Sequence, residues 1–425
     1  MPLNQEEKRL GVYIHIPFCA SRCGYCDFCS LANQDKLMPH YQDALLIQMR
    51  EVFPQLREYY LDSVFFGGGT PSYYGAERLA ELLQEVKRTG RLLKSSEITV
   101  ECNPDSIKRK GLRLLRREGV NRISIGAQSA NDEILRLIGR RHTWRQVEMA
   151  VKRAKKAGFR NISLDLIYGL PSQSKDDWAR TLAKAVALKP THISCYGLRL
   201  EEGTPMYRTY MDSPLLPSDD EQADMYLYAV DFLERRGYRQ YEISNFARPG
   251  FESRHNLKYW RVQEYVGFGA AAHSYVAGLR YSCLSNVRGY ISGVLGEKNI
   301  VEEQEPISQL DQAAEYIMLG MRTAYGICRE DYTRVYRSSF EPLEQILEAF
   351  AANGWAVKVP NRRGNRDRDR WRFTPSGFLV SNVLIGMLLE AQTKEKFSAN
   401  PWIREAFERV GEKLPLPEAS EPYMN

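Results

Sequence analysis

The sequence predicts an α/β protein, a partial (β/α) barrel followed by a smaller helical, winged-helix-like domain. Three observations lead there. Short β-branched and aromatic runs alternate with longer amphipathic stretches as far as about residue 245, a pattern that gives parallel strands joined by right-handed crossovers. After about residue 300 the order becomes helix, helix, hairpin, helix. A length of 425 residues suits one large domain and a small one.

The strand runs are Val12–Ile16, Ser63–Phe66, Ile98–Glu101, Arg122–Ile125, Ile162–Ile167, His192–Tyr196 and Tyr241–Ser244. Between them, Leu79, Leu82, Leu83 and Val86 repeat at helical spacing, as do Val147, Ala150, Val151 and Ala154. Ser174 and Asp177 have the spacing of a capping box that opens a further helix. Downstream, Asp311–Thr323 and Glu341–Asn353 read as helices, Trp355–Val359 and Arg370–Thr374 as hairpin arms, and Gly377–Ala391 as a last helix. These elements divide the chain into a barrel over 8–245, a barrel-completing or linking segment over 246–304, the C-terminal domain over 305–391 and a loosely attached tail over 392–425.

Composition narrows the function classes. The hydrophobic fraction of 43% is that of a soluble globular protein. A net charge of +6, from 59 basic and 53 acidic residues, does not call for nucleic acid. The basic stretch Arg362–Arg370 between the hairpin arms resembles a nucleic-acid-binding wing, but Asp367 and Asp369 interrupt it, as in a solvated surface run. Met1–Leu10 is polar and is followed by no signal-peptide core; the longest apolar run, Val383–Leu389, is broken by Gly386 and too short to span a bilayer. A cytoplasmic protein is expected, with at most peripheral membrane contact. Four of the eight cysteines crowd into residues 19–29. In a reducing compartment such clustering points to metal or redox chemistry, and the scattered Cys102, Cys195, Cys283 and Cys328 read as small buried hydrophobes.

The clustered motif is Cys19-x3-Cys23-x2-Cys26, directly after the first strand. Thiolates are the usual ligands of iron–sulfur clusters, and three ligands for four irons leave one iron open. Zinc is the alternative, with Cys29 a fourth ligand on spacing alone; structural zinc more often takes two separated cysteine pairs, and no second pair follows. In a parallel barrel the reactive groups gather at the C-terminal ends of the strands. Here the second strand ends in Gly67-Gly68-Gly69-Thr70-Pro71, the third at Glu101 and the fourth at Gln128, while the fifth carries Asp165. Any one of these reads equally as a turn or a cap. In succession they point to a bound ligand.

The cysteine triad and the Gly-Gly-Gly-Thr-Pro strand end resemble the radical S-adenosylmethionine (SAM) superfamily. Tyr13-Ile-His-Ile-Pro-Phe-Cys19, Ile125-Gly-Ala-Gln-Ser129, Asp165-Leu-Ile-Tyr-Gly-Leu-Pro171 and Glu202-Gly-Thr-Pro205 are similar to the oxygen-independent coproporphyrinogen III oxidase family and its relatives, from about residue 10 to about residue 390. The resemblance implies a 4Fe–4S cluster on Cys19, Cys23 and Cys26. Its open iron would bind SAM, and a reduced cluster would cleave SAM to methionine and a 5′-deoxyadenosyl radical. It also implies that Tyr13, Gly68, Gly69, Thr70 and Glu101 line SAM, that Tyr25 lies against the adenine, and that Gln128, Arg140 and Asp165 complete the cavity. Arg140 and Asp165 read alternatively as a surface charge and a barrel ion-pair partner.

Within that family two departures count against the oxidase of porphyrin biosynthesis. The oxidases carry a fourth cysteine two residues after the triad, where this chain has Phe28, and Cys29 one place later would point the other way in an extended loop. Only 18 residues precede Cys19, against a longer extension in the oxidases. His255-Asn-Leu-Lys-Tyr-Trp260 instead matches the His-Asn-x-x-Tyr-Trp motif of the HemW-type relatives, regarded as heme chaperones, and Glu315–Thr323 with Gly326-Ile327 resembles their second domain. Imidazole is a common heme ligand, and Tyr259 and Trp260 offer flat faces to a macrocycle; equally, the motif reads as a turn whose aromatics fill a core around a hydrogen-bonded histidine. The resemblance implies heme as cargo on His255 and a heme-acceptor protein such as a respiratory cytochrome or oxidase. Radical decarboxylation of coproporphyrinogen III is the alternative, and a flavodoxin or ferredoxin electron donor and a homodimer are left open.

Overall fold

The computed structural model describes residues 8–361 and 368–399. Most of the basic stretch between the hairpin arms and the tail from Asn400 therefore lie outside the described residues. The chain divides between Ser308 and Gln309.

The first unit is built on one twelve-stranded sheet. Strands β1 (Arg9–Ile16), β2 (Tyr60–Gly68), β3 (Leu92–Cys102), β4 (Arg122–Gln128), β5 (Asn161–Tyr168) and β6 (His192–Gly197) lie side by side and parallel. Between them run α1 (Met38–Val52), α2 (Ala76–Thr89), α3 (Arg109–Arg117), α4 (Trp144–Lys156) and α5 (Lys175–Ala187). The capping box is present at the start of α5, with Ser174 Oγ accepting from Asp177 N–H at 3.1 Å and the Asp177 carboxylate accepting from Ser174 N–H at 3.2 Å. Helix α6 (Asp219–Glu234) leads to β7 (Arg239–Gln240) and β8 (Asn245–Ala247), which add to the β6 edge antiparallel.

The expected seventh strand, Tyr241–Ser244, is instead the turn between β7 and β8. Glu242 folds its carboxylate back on the backbone there, accepting from Ser244 N–H at 3.2 Å, and this closes a bend where the pattern suggested extension. The seventh parallel strand is β9 (Tyr265–Phe268), reached through α7 (Arg254–Trp260) and paired with the free edge of β1. From β9 the sheet continues antiparallel through β10 (His273–Val276), β11 (Leu279–Cys283) and, after α8 (Val287–Leu295), β12 (Val301–Pro306).

The two faces of the parallel strands are chemically opposite. Val12, Ile14, Val64, Phe66, Val100, Ile123, Ile125 and Leu164 are fully buried; side chains of this kind contribute roughly 1.5–3 kcal/mol each when removed from water. The alternate positions bear Glu97, Thr99 and Glu101 on β3, Arg122, Ser124 and Gln128 on β4, Ser163 and Asp165 on β5, and His192 and Ser194 on β6. That second face is the polar inside of the open barrel.

The second unit contains α9 (Gln309–Gly320), β13 (Ile327–Cys328), α10 (Arg329–Tyr336), α11 (Glu341–Ala352), β14 (Ala356–Val359), β15 (Arg370–Phe373) and α12 (Ser381–Ala399). Strand β15 lies between β13 and β14, antiparallel to both, which is the element order of a winged helix. The sequence reading missed β13 and α10. Arg368 and Arg370, the described end of the basic stretch, are paired with Glu330 and Asp331. No helix among the described residues is long and apolar enough to cross a membrane.

Gly326 has φ +64°, and a Cβ there would stand 1.8 Å from the Trp371 carbonyl oxygen. Gly326→Ala is therefore expected to destabilise the second unit by about 2–4 kcal/mol, measured as a lower urea midpoint. An unchanged midpoint would contradict the packing of β13 against β15.

Candidate functional site

The loop after β1 is held at several points. Phe18 is buried, with ring-centroid distances of 5.5 Å to Tyr74 (stacked) and 5.4 Å to Tyr41 (edge-on). Leu31 N–H donates to the Pro17 carbonyl at 2.6 Å, closing the loop's base. Gly24 donates to Ile138 O at 3.2 Å and accepts from Met206 N–H at 2.9 Å, fixing the turn between Cys23 and Cys26. The three thiols thereby face one cavity of about 380 Å³ at the C-terminal ends of the strands.

The glycine strand end makes room for that cavity. Gly68 has φ +108°, and a Cβ on it would lie 2.4 Å from the His15 ring; one on Gly69 would lie 3.0 Å from Cys19 Sγ. Thr70 Oγ1 is 3.4 Å from Cys19 Sγ. Arg140 donates to Cys23 Sγ at 3.4 Å while its other nitrogen holds Asn103 Oδ1 at 2.7 Å and Gly126 O at 2.9 Å. It is a cavity side chain tied to the loop, not a surface charge. Gln128 lies at a β-bulge with φ +59°, a strained conformation of the kind that re-aims a side chain next to a site.

Two carboxylates share the cavity wall. Glu101 accepts from Gly68 N–H at 3.2 Å; burial, then the nearby Asp165 charge, pushes its pKa up to about 8. Asp165 accepts hydroxyl hydrogens from Ser194 at 2.8 Å, Ser124 at 2.9 Å and Ser163 at 3.2 Å. Burial raises its pKa, and those donors with the Arg122 charge oppose the rise. Burial likewise raises the Cys19 and Cys26 thiols, so they are protonated at neutral pH until a metal claims them.

Of the residues expected at the site, Cys19, Cys23, Cys26, Tyr25, Gly68, Gly69, Thr70, Glu101, Gln128, Arg140 and Asp165 all line this cavity. Tyr13 does not: its ring stacks on Phe65 and its hydroxyl meets His15 Nδ1 at 3.0 Å, one layer behind the wall. Cys29 is also turned away, donating to Ser285 O at 3.3 Å. His255 lies elsewhere, buried in α7, with Nδ1 2.9 Å from Ser63 Oγ and Nε2 2.9 Å from Tyr259 Oη. Burial lowers its pKa to about 3, so the ring is neutral. As folded here, neither nitrogen is free for a metal. This is the arrangement of a hydrogen-bonded core histidine, not of an open imidazole.

The sequence reading missed Asn103, Ser124 and Tyr196, which also line the cavity. A signal was available: Ser124, Ser163 and Ser194 occupy the middle of three neighbouring strands, and cross-strand partners of that kind surround whatever charge lies between them.

Among the described residues no three His, Cys, Asp or Glu side chains converge to hold one metal ion. A single zinc needs that convergence, whereas in a four-iron cluster each thiolate meets a different iron. Three soft sulfur donors on one wall, a guanidinium donor to one, a hydroxyl beside another and a glycine-lined space next to them fit such a cluster.

Residues 13–185 match the model of the radical SAM superfamily, the class that the barrel and its cysteine loop define. That class implies a 4Fe–4S cluster and SAM as cofactors. A protein of Lactococcus lactis named heme chaperone HemW is 39% identical over 388 residues, covering 90% of this chain and 98% of the relative. One of the same name from Bacillus subtilis is 36% identical, covering 81% and 92%. The solved coproporphyrinogen III oxidase (HemN) of Escherichia coli shares the fold with a TM-score of 0.78, at 23% identity over 91% of this chain and 90% of its own. The chain belongs to the HemW family.

The raised Glu101 pKa has a consequence for stability. A carboxyl held above its ordinary value of 4.5 favours the folded state while protonated, and that contribution is lost as pH rises through about 8. Glu242, raised to about 7 by burial, adds a second share. Glu101→Gln is therefore expected to flatten the decline in thermal midpoint between about pH 5 and 8, and an unchanged slope would contradict a half-buried, neutral Glu101.

Proposed function

We propose that this chain is a heme chaperone: it binds heme and passes it to an acceptor protein, with a SAM-bound 4Fe–4S cluster on the same scaffold. The observation that carries this reading is kinship over nearly the full length of proteins named for that role. Cys19, Cys23 and Cys26 would hold the cluster. Gly68, Gly69, Thr70 and Glu101, with Tyr25, Gln128, Arg140 and Asp165, would enclose SAM. When bound and reduced, such a cluster would supply the electron for reductive cleavage of SAM.

The chain's own residues prepare that site. Arg140 donates to the Cys23 sulfur, and the Thr70 hydroxyl would donate to the Cys19 sulfur once that is a thiolate, which stabilises the anions. Asp165 offers a hydroxyl-supported carboxylate to a cationic or hydroxyl-bearing ligand. Glu101, its pKa pushed up to about 8, is poised to release its proton when a cation arrives beside it. Phe28 stands 64% exposed at the cavity rim, where the oxidases have a fourth cysteine, and gives the rim an apolar face in place of a thiol. The cytoplasm is the proposed location, because a reducing compartment keeps the clustered thiols unpaired and available to a cluster.

Heme coordination by His255 would require it to give up a bond to Tyr259 or Ser63. Tyr259→Phe frees Nε2 and is expected to leave stoichiometric heme uptake equal or tighter, while His255→Ala abolishes the Soret band of the complex. Unchanged uptake in His255→Ala would remove His255 as the ligand, and no uptake by the wild-type protein would overturn the chaperone reading. An anaerobic assay with SAM and reductant is expected to yield no protoporphyrinogen above a Cys19→Ala control.

A further inference from the structure

Behind Asp165 a column of hydrogen bonds runs into the barrel, and its direction can be worked out from one end to the other. Ser163 has a single hydroxyl hydrogen, given to Asp165 Oδ1 at 3.2 Å. Its oxygen is 2.7 Å from His192 Nδ1 and can then only accept, so Nδ1 carries the ring's hydrogen. His192 is neutral, because burial and the Arg122 charge hold its pKa well below the ordinary histidine value. Nε2 is therefore an acceptor, and the hydroxyl of Tyr241 is 2.7 Å from it. Tyr241 in turn accepts from the backbone N–H of Ser253 at 3.3 Å, which leaves its own hydrogen for His192.

Every donor in the column points toward the cavity. The reverse direction would need a hydrogen on Nε2 facing Tyr241, whose own hydrogen would then lose the acceptor it has in His192. Ser163, His192 and Tyr241 are all buried, so water does not substitute for a missing partner.

We propose that Tyr241 and His192 are positioning residues for Asp165: they fix the hydroxyl of Ser163 so that Asp165 presents an acceptor-only carboxylate to the cavity. Asp165 is then the anion that three hydroxyl donors support, and Glu101, which accepts from a single backbone N–H, is the adjustable member of the pair. Two carboxyl groups driven to different protonation states by their surroundings can divide two roles at one site. The column makes no contact with the cysteine loop. Its consequence for SAM rests on the cofactor reading above; the direction of the column does not.

The test has two arms. Full-length protein with its cluster in the oxidised, diamagnetic state is labelled with ¹⁵N-histidine, and the His192 ring is identified as the NMR signal lost in His192→Asn. The expected result is the Nδ1–H tautomer in the wild-type protein, shifting toward Nε2–H in Tyr241→Phe. Nε2–H in the wild-type protein overturns the proposal without need of any variant. In the second arm SAM affinity is measured by calorimetry. Tyr241→Phe is expected to bind about tenfold more weakly, as for loss of one charge-supporting hydrogen bond, and Asp165→Asn at least as weakly. Weak binding in Asp165→Asn beside wild-type affinity in Tyr241→Phe also overturns the proposal. Failure of the wild-type protein to bind SAM would count against the cofactor reading, and the tautomer would still decide the column.

Discussion

The inner face of the parallel sheet is polar, and groups placed there have little access to bulk water. A buried carboxylate, guanidinium or imidazole is costly unless neighbouring donors and acceptors satisfy it. Much of the local architecture follows from that demand. Three strands each contribute a serine to Asp165. Helix α7 docks against the barrel through Glu97, which accepts from the backbone N–H of His255 at 3.0 Å. Lys258 on the same helix pairs with Asp62 at 2.9 Å. The apolar outer face supplies the gross driving force for folding, and the polar inner face specifies register, because a one-residue slip of any strand would exchange the two.

The same constraint explains why the cavity forms where it does. Toward the N-terminal ends of the strands the interior is filled by Tyr13, Phe65 and His255, whose rings stack on one another. Toward the C-terminal ends the side chains shrink to Gly67, Gly68, Gly69 and Gly126, and the interior opens. The cysteine loop closes over that opening, tied by Gly24 and Arg140. Charge on the wall is asymmetric, with Glu101 held neutral beside an Asp165 that three hydroxyls support. A cationic ligand entering such a site meets one carboxylate supported by hydroxyl donors and one carboxyl whose proton it displaces.

How much of this was legible in the sequence depended on how local each feature is. The cysteine spacing, the glycine strand end and the first six parallel strands announce themselves within a few residues, since each rests on side-chain alternation or backbone freedom. Strand β9 did not, because it is four residues long and contains Gly267, required where a Cβ would stand 2.3 Å from the His273 carbonyl oxygen. Tyr241–Ser244 had strand composition, yet the carboxylate of Glu242 turned the chain. The setting of His255 was hidden for a different reason: its partner Ser63 lies 192 positions away, on β2. A contiguous motif says which residues travel together and not what they are packed against. Tyr13 fell to the same limit, sharing the interior face with the cavity residues but lying a layer deeper.

The central claim is that three thiolates leave one iron of a cluster open to SAM. It is tested most directly by electron paramagnetic resonance of the anaerobically reduced protein before and after SAM is added. A 4Fe–4S signal whose line shape changes on addition of SAM, and which is absent from Cys19→Ala, is the predicted result. A cluster signal that SAM leaves unaltered, or a protein that holds zinc in place of iron, would contradict it.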